Sequence, residues 1–204
     1  MLVADKNMEF AVRGLLNRHQ SLGISPPSLD LYQHPHRDTG CLREAHTFLQ
    51  PFSLRHAHAM VLLDHDGCGK EQTDRTELEA EIENRLTQTG WEDRAAAIVI
   101  APELETWVWS DSPHVARELG WKGTPQELQA WLQTRGFISD PQQIKPPRPK
   151  EAVESVMRHA GKARSSALFT ALARQVSLNK CLDPSFLKFR AKLLEWFPAH
   201  SETT

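Results

Sequence analysis

Residues 58–67 read HAMVLLDHDG, a nearly continuous apolar run that stops abruptly at an acid. A short run of this kind, followed by a turn signal at Gly67, predicts a strand that is buried on both faces. Such strands occupy the centre of parallel sheets, where helices cover both sides. The run therefore predicts an α/β domain with Asp64 and Asp66 at the carboxyl end of its central strand.

The sequence on either side repeats this alternation of strand and helix. Apolar or alternating segments predict further strands at residues 1–4, 28–33 and 95–101, and Asn7 is the predicted cap of the first helix. The helix predicted over 73–89 turns its glutamates to water, namely Glu77, Glu79, Glu81 and Glu83. This alternation predicts a mostly parallel sheet with helices on both faces.

The composition changes near residue 141. Residues 144–150 read IKPPRPK, which predicts an extended linker. Helices are predicted after it over 150–159, 165–176 and 184–197. Residues 1–140 hold 13 Lys and Arg against 21 Asp and Glu, whereas residues 141–192 hold 11 against 3. We therefore predict an acidic α/β domain over 1–140 and a basic helical region over 141–204 that packs on it.

The overall composition is that of a globular protein. The chain has 204 residues, of which 40% are hydrophobic and 25% charged. No apolar run approaches the roughly 20 residues that a membrane helix needs, so no membrane contact is predicted. The N-terminus has no secretory signal pattern, and the three cysteines form no disulfide framework. These features predict a cytoplasmic protein.

Acidic residues follow three of the four predicted strands. They are Asp5, Asp64, Asp66, Glu103 and Glu105. Because the carboxyl ends of parallel strands share one edge of the sheet, we expect these acids to meet in one crevice. One or two carboxylates with waters suit Mg²⁺, which serves phosphoryl-transfer and nuclease chemistry. The alternative interpretation is that each acid only begins a turn or caps the helix that follows.

The acids after the third and fourth predicted strands stand in two motifs, LLDHDG at 62–67 and PELETW at 102–107. With these motifs, the plan of residues 1–115 resembles the TOPRIM-like domains of bacterial anti-phage defence proteins. The whole chain, with RSS at 164–166 and CLDP at 181–184, resembles a family of accessory components of anti-phage gene clusters. Methylation-associated defence systems are among those clusters.

The resemblance implies a TOPRIM fold in which the Asp-x-Asp of residues 64–66 holds Mg²⁺ or Mn²⁺ for cleaving or rejoining phosphodiesters. It also implies that Glu105 matches a glutamate in the Pro-x-x-Glu-x-Trp setting of these domains, as a metal ligand and catalytic residue. TOPRIM enzymes carry a glutamate directly after the first strand, where this chain has Ala4. Either Asp5 or Glu9 takes over as general acid or base, or catalysis has been lost.

Basic residues near the predicted edge indicate contact with phosphate. Arg37 follows the second strand, and Lys150 and Arg164 belong to a proline-stiffened basic strip without aromatic residues. Such a strip favours the backbone of a nucleic acid over stacking on its bases. The alternative interpretation is that these charges only solvate amphipathic helices.

Histidines offer a second metal hypothesis. The chain has ten, and His34 and His36 stand near Asp38 and Cys41 in the sequence. Residues of these types bind zinc, but no pairing among them has a recognised finger spacing. A zinc hydrolase is therefore the third functional interpretation.

The leading interpretation is a Mg²⁺-dependent nuclease or nucleic-acid-processing subunit that works with other subunits of a defence system. The alternative is a non-catalytic scaffold subunit, in which the same fold serves as a docking module. Ala4 favours the scaffold, because it stands where TOPRIM enzymes have their glutamate.

Overall fold

The computed structural model describes residues 1–110, 112–140, 142–178 and 181–199, and four strands within them form one parallel sheet. The strands are β1 (Leu2–Val3), β2 (Tyr32–Gln33), β3 (Ala59–Asp64) and β4 (Ala95–Ile100). Their spatial order is β2-β1-β3-β4, and β3 pairs with β4 along its whole length. The predicted α/β architecture with a parallel sheet is confirmed.

Helices connect and flank these strands. In chain order they are α1 (Lys6–Leu16), α2 (His19–Leu22), α3 (Arg37–Leu49), α4 (Arg75–Leu86), α5 (Glu105–Val108), α6 (Pro113–Glu118), α7 (Pro125–Thr134), α8 (Pro149–His159), α9 (Ala167–Gln175) and α10 (Pro184–Trp196). Because parallel crossovers are right-handed, α1 lies on one face of the sheet and α3 and α4 lie together on the other. None of the helices in the described residues is long and apolar enough to cross a lipid bilayer.

The sequence predicted the two long strands better than the short ones. β3 and β4 are buried along nearly their whole length, as expected for central strands. The strand predicted over 28–33 is shorter in the structure. Only the two residues of β2 pair with β1. The predicted cap of α1 is wrong: Asp5, not Asn7, is the N-cap, and its Oδ1 accepts the N–H of Met8 at 2.9 Å.

Side chains of α4 cover the outer edge of β4. Glu79 Oε1 accepts the N–H of Val99 at 3.0 Å, and Glu83 Oε1 accepts that of Ala97 at 2.9 Å. Lys188 of α10 pairs with both glutamates, at 3.1 and 2.8 Å. The prediction that Glu79 faces water is therefore wrong. Its side chain is buried because the strand edge offers unpaired N–H donors to its carboxylate.

The helices after residue 141 pack on the sheet and on α1. α9 lies against α1, where Thr170 Oγ1 donates to the carbonyl of Phe10 at 2.9 Å, and α10 lies against β4. α1 and α9 approach closely at Gly14, where an added Cβ would lie 2.8 Å from the Cβ of Ala173. One cluster of buried side chains includes residues from both sides of residue 141.

Replacing Gly14 with leucine is expected to lower the free energy of unfolding by about 1 to 3 kcal/mol, because the side chain pushes α9 away from α1. Urea unfolding followed by tryptophan fluorescence measures the change. Arg13→Leu alters an exposed side chain of the same helix and is the control, with an expected change below about 0.5 kcal/mol. Equal losses in the two variants would contradict the close contact of the helices.

Candidate metal centre

The carboxyl ends of the strands bring acidic side chains into one crevice. Asp5 follows β1, Asp64 ends β3, and Glu103 and Glu105 follow β4. The neighbouring strands β1 and β3 lead to helices on opposite faces of the sheet, since α1 follows β1 and α4 follows β3. Open α/β sheets bind their ligands at such a switch point.

Asp64, Glu103 and Glu105 form the middle of this crevice, and we call these three residues the acidic centre. One carboxylate oxygen from each lies within 4.8 Å of those of the other two. The N–H of Leu104 donates to Oδ1 of Asp64 at 2.8 Å, which ties the loop after β4 to the end of β3. Glu105 is only 2% exposed. The backbone thus holds three carboxylates at a spacing that one metal ion can bridge.

Asp38, in the first turn of α3, reaches the acidic centre from the side of β2. Its Oδ1 accepts the backbone N–H of Asp64 at 2.8 Å. Burial raises the pKa of Asp38, and the charge of Asp5 adds to this effect. The sequence predicted Asp5 at this edge, whereas it offered Asp38 only as a ligand in the zinc hypothesis. The available signal was an acid in the first turn of the helix that follows β2.

Lys150 and Arg164 bring positive charge to the acidic centre from the C-terminal region. The N–H of Lys150 donates to Oε1 of Glu103 at 3.0 Å, and its Nζ lies 3.3 Å from Oε2. Arg164 Nη2 lies 2.8 Å from Oε1 of Glu105, and Arg164 also pairs with Glu154. In this structure, the two cations predicted to bind phosphate therefore pair with acids.

Burial and like charge raise pKa values in the acidic centre. Burial raises the pKa of Asp64 well above its ordinary value of 3.8, and the charges of Asp38 and Glu105 raise it further. Burial and the charge of Glu103 raise the pKa of Glu105 in spite of the cations beside it. In the absence of a bound cation, the surroundings therefore disfavour the ionised forms of Asp64 and Glu105.

The donor set fits a hard divalent cation. In the described part of the chain, no cation pairs with Asp5, Asp38 or Asp64. No donor from another described residue reaches Oδ2 of Asp64 or Oε2 of Glu105. Mg²⁺ binds one or two carboxylates together with waters, and Mn²⁺ also suits carboxylate oxygens. Asp64 and Glu105 have the free oxygens for this role, with Glu103 beside them.

Asp66 does not join the acidic centre. β3 ends at Asp64, and the chain then turns, with Gly67 at a φ of 86°. The Asp66 side chain is 60% exposed, and its Oδ1 lies 4.0 Å from Nδ1 of His65. The expected pairing with Asp64 assumed that the extended backbone continues past the strand, and the turn removes that geometry.

Glu9 and Arg37 also lie outside the acidic centre. Arg13 Nε and Gln33 Nε2 donate to Glu9 at 2.8 and 2.5 Å. Burial opposes the effect, but these hydrogen bonds lower the pKa of Glu9, which makes it a poor proton carrier at neutral pH. Arg37 is exposed at the start of α3, and no acid among the described residues pairs with it.

A second group of possible metal ligands contains His34, His36 and Glu44, whose ligand atoms also lie within 4.8 Å of one another. His34 is buried, and its Nδ1 accepts the N–H of His36 at 3.1 Å. A neutral His34 must then carry its proton on Nε2, the atom that faces Glu44 at 3.7 Å. A zinc ion would need the lone pair at that atom, so this hydrogen bond opposes the zinc hypothesis.

An apolar cavity of about 740 Å³ borders α5. Leu104, Trp107 and Val108 line it, and Arg18 and Lys145 supply positive charge in its wall. Its volume lies in the range of small-molecule sites. No residue of the acidic centre lines this cavity, so the two are separate features of the molecule.

Comparison with known proteins identifies no relative. The sequence matches no protein-family model. Searches of curated proteins and of solved structures also found no match. The acidic centre and its surroundings therefore carry the functional inference.

Proposed function

We propose that the protein is a Mg²⁺- or Mn²⁺-dependent enzyme that hydrolyses phosphodiesters in nucleic acids. The observation that carries this proposal is the acidic centre, with three carboxylates within 4.8 Å at a switch point of the sheet. Lys150 and Arg164 stand directly beside it. Metal-dependent phosphoryl chemistry needs carboxylates for the ion and positive side chains for the phosphate, and this crevice has both.

The residues of the crevice have different roles in binding the metal and the substrate. Asp64 and Glu105 would hold the ion through their free oxygens, and Glu103 pairs with Lys150 beside them in the metal-free protein. When bound, the ion supplies Lewis-acid polarisation of a phosphoryl oxygen and neutralises developing charge. Lys150 and Arg164 bind the phosphate of the substrate through charge-assisted hydrogen bonds.

Asp5 and Asp38 are the candidates to take a proton from the attacking water. Asp38 is hydrogen-bonded to the backbone of Asp64 and so stands next to the proposed metal ligands. Asp5 follows Ala4, where the TOPRIM domains that this sequence resembles carry their glutamate. Positioned carboxylates serve as general bases when they reach the nucleophile directly or through one water.

We base the cellular setting of the proposed function on the sequence resemblance. Residues 62–67 and 102–107 resemble TOPRIM-like defence proteins, which supports a TOPRIM-like fold and action on phage nucleic acid. The resemblance of the whole chain to accessory components of defence systems supports work with other subunits. Phage nucleic acid is then the substrate class of the proposed hydrolysis.

Isothermal titration calorimetry with Mn²⁺ tests the metal site. We expect the wild-type chain to bind Mn²⁺ and Asp64→Asn to bind it at least about tenfold more weakly. Asp66→Asn makes the same change on an exposed side chain two residues later and is the matched control, with wild-type affinity expected. Equal losses in both variants, or no loss in either, would contradict the assignment of the metal to the acidic centre.

One observation favours a second candidate function, a non-catalytic scaffold subunit. Glu103 and Glu105 already pair with Lys150 and Arg164, which ties the C-terminal helices to the sheet. Mn²⁺-dependent cleavage of supercoiled plasmid, single-stranded DNA and single-stranded RNA separates the two functions. Cleavage of any of these by the wild-type chain supports the enzyme, and metal binding without cleavage supports the scaffold.

A further inference from the structure

Lys150 and Arg164 each neutralise one of the two glutamates of the acidic centre. Lys150 Nζ lies 3.3 Å from Oε2 of Glu103, and Arg164 Nη2 lies 2.8 Å from Oε1 of Glu105. Burial lowers the pKa of Lys150, but the charges of Glu103 and Glu105 outweigh burial and raise it. Each cation therefore acts as the counter-ion of one glutamate.

The cations, rather than the acids, are the exchangeable partners of these pairs. The side chains of Lys150 and Arg164 are 44% and 34% exposed, against 12% and 3% for Glu103 and Glu105. Arg164 has a second partner in Glu154, whose side chain is 37% exposed. Both cations thus approach from the solvent side and can leave the acids without disturbing the core.

A divalent cation held by Asp64 and Glu105 would lie close to both side chains. Like charges at short range repel strongly in a partly buried site. Metal binding would therefore weaken the pairs with Glu103 and Glu105, and Lys150 and Arg164 would turn toward solvent. There a phosphate group is the natural new partner, because it forms charge-assisted hydrogen bonds with ammonium and guanidinium groups.

We infer that Lys150 and Arg164 are exchangeable counter-ions: divalent metal displaces them from the acidic centre, and they then hold the phosphate of the substrate. This inference rests on the proposed function, since it takes the acidic centre to be the metal site. It makes metal and phosphate binding cooperative, because each ligand compensates the charge that the other leaves unpaired.

Mn²⁺ affinity in the absence of substrate tests the displacement. Lys150→Ala and Arg164→Ala each remove a competing positive charge, so we expect calorimetry to show Mn²⁺ binding about three- to tenfold tighter than in the wild type. A purely structural role for these side chains predicts unchanged or weaker binding. Lys150→Gln and Arg164→Gln retain long polar side chains and give the same comparison where an alanine variant does not fold.

Arg148→Ala is the matched control for the removal of a positive charge. Arg148 pairs with Glu151 at 2.8 Å near the start of the same helix as Lys150, and both side chains of this pair are largely exposed. We expect its Mn²⁺ affinity to stay within about twofold of the wild type. Equal tightening in Arg148→Ala would show a general charge effect and overturn the displacement.

Binding of a short phosphorothioate DNA strand tests the second step. With saturating Mn²⁺, we expect Lys150→Ala and Arg164→Ala to bind it at least about fivefold more weakly than the wild type, and Lys150→Arg to recover part of the loss. A wild-type chain that binds no Mn²⁺ would overturn the proposed function and this inference together. Asp64-dependent Mn²⁺ binding that does not tighten in the alanine variants would overturn this inference alone.

Discussion

Asp64→Asn is expected to reduce Mn²⁺-dependent cleavage at least about 100-fold and to raise the thermal stability of the metal-free protein. Activity falls because an amide oxygen does not replace the anionic oxygen that the ion needs. Stability rises because burial and the charges of Asp38 and Glu105 disfavour the ionised form of this partly buried carboxyl group, which has no ion-pair partner among the described residues. The asparagine still offers an acceptor to the N–H of Leu104, which lies 2.8 Å from Oδ1 of Asp64.

The gain in stability depends on pH with a definite sign. The pKa of Asp64 is raised in the folded chain above its ordinary value of 3.8, so ionisation favours the unfolded chain as the pH rises past that value. Well below it, the residue is protonated in both states and the advantage of asparagine disappears. Near neutral pH we expect a gain of about 1 to 2 kcal/mol in the free energy of unfolding, or about 2 to 8 °C in Tm.

Thermal melts of the wild type, Asp64→Asn and Asp66→Asn between about pH 4 and pH 8 measure this dependence. Mn²⁺ at a hundredfold excess over the wild-type Kd should stabilise the wild type and Asp66→Asn by about 2.7 kcal/mol. It should stabilise Asp64→Asn by no more than about 1.4 kcal/mol, because binding there is at least about tenfold weaker. An Asp64→Asn variant that is less stable than the wild type at every pH would mean that the carboxylate serves the fold rather than a metal.

Local pattern predicted all four strands, but it gave good limits only for the long ones. β3 and β4 were predictable because central parallel strands are apolar on both faces, and their aliphatic runs have no other simple interpretation. β1 and β2 pair over two residues each, so their limits depend on their neighbours rather than on their own sequence. Glu79 was misassigned for a similar reason, because helical periodicity does not reveal a strand edge that needs acceptors.

The sequence predicted the edge of the sheet where the site lies, but it did not predict the full set of side chains that form the site. The shared carboxyl edge of parallel strands correctly placed Asp64 and Glu105 in one crevice. Whether an acid turns into that crevice depends on the loop that carries it, which is why Asp66 points elsewhere and Asp38 was missed. The pairing of Lys150 with Glu103 joins residues 47 positions apart, a separation that no local pattern covers.

Glu79→Ala is expected to lower the free energy of unfolding by about 3 kcal/mol. Glu79 is 3% exposed and accepts the N–H of Val99, at an N···O distance of 3.0 Å. It also pairs with Arg75 and Lys188, at 2.8 and 3.1 Å. Alanine leaves a buried N–H without an acceptor and removes the shared counter-ion of two cations. Urea unfolding measures the loss.

Two further variants separate the causes of this loss. Glu79→Gln keeps an acceptor for Val99 but no charge, so we expect it to recover about half of the lost stability. Glu77→Ala removes an exposed glutamate from the same helix and should stay within about 0.5 kcal/mol of the wild type. If glutamine were no better than alanine, the ion pairs alone would account for the effect.

Glu79→Ala should also expose N–H groups at the outer edge of β4. In the described chain no strand lies beyond β4, and the carboxylates of Glu79 and Glu83 occupy the N–H groups of Val99 and Ala97. Uncovered strand edges pair with other chains. We therefore expect Glu79→Ala to associate as its concentration rises, measured by light scattering, while Glu77→Ala does not. A Glu79→Ala variant with wild-type size would mean that α10, rather than the carboxylate, protects this edge.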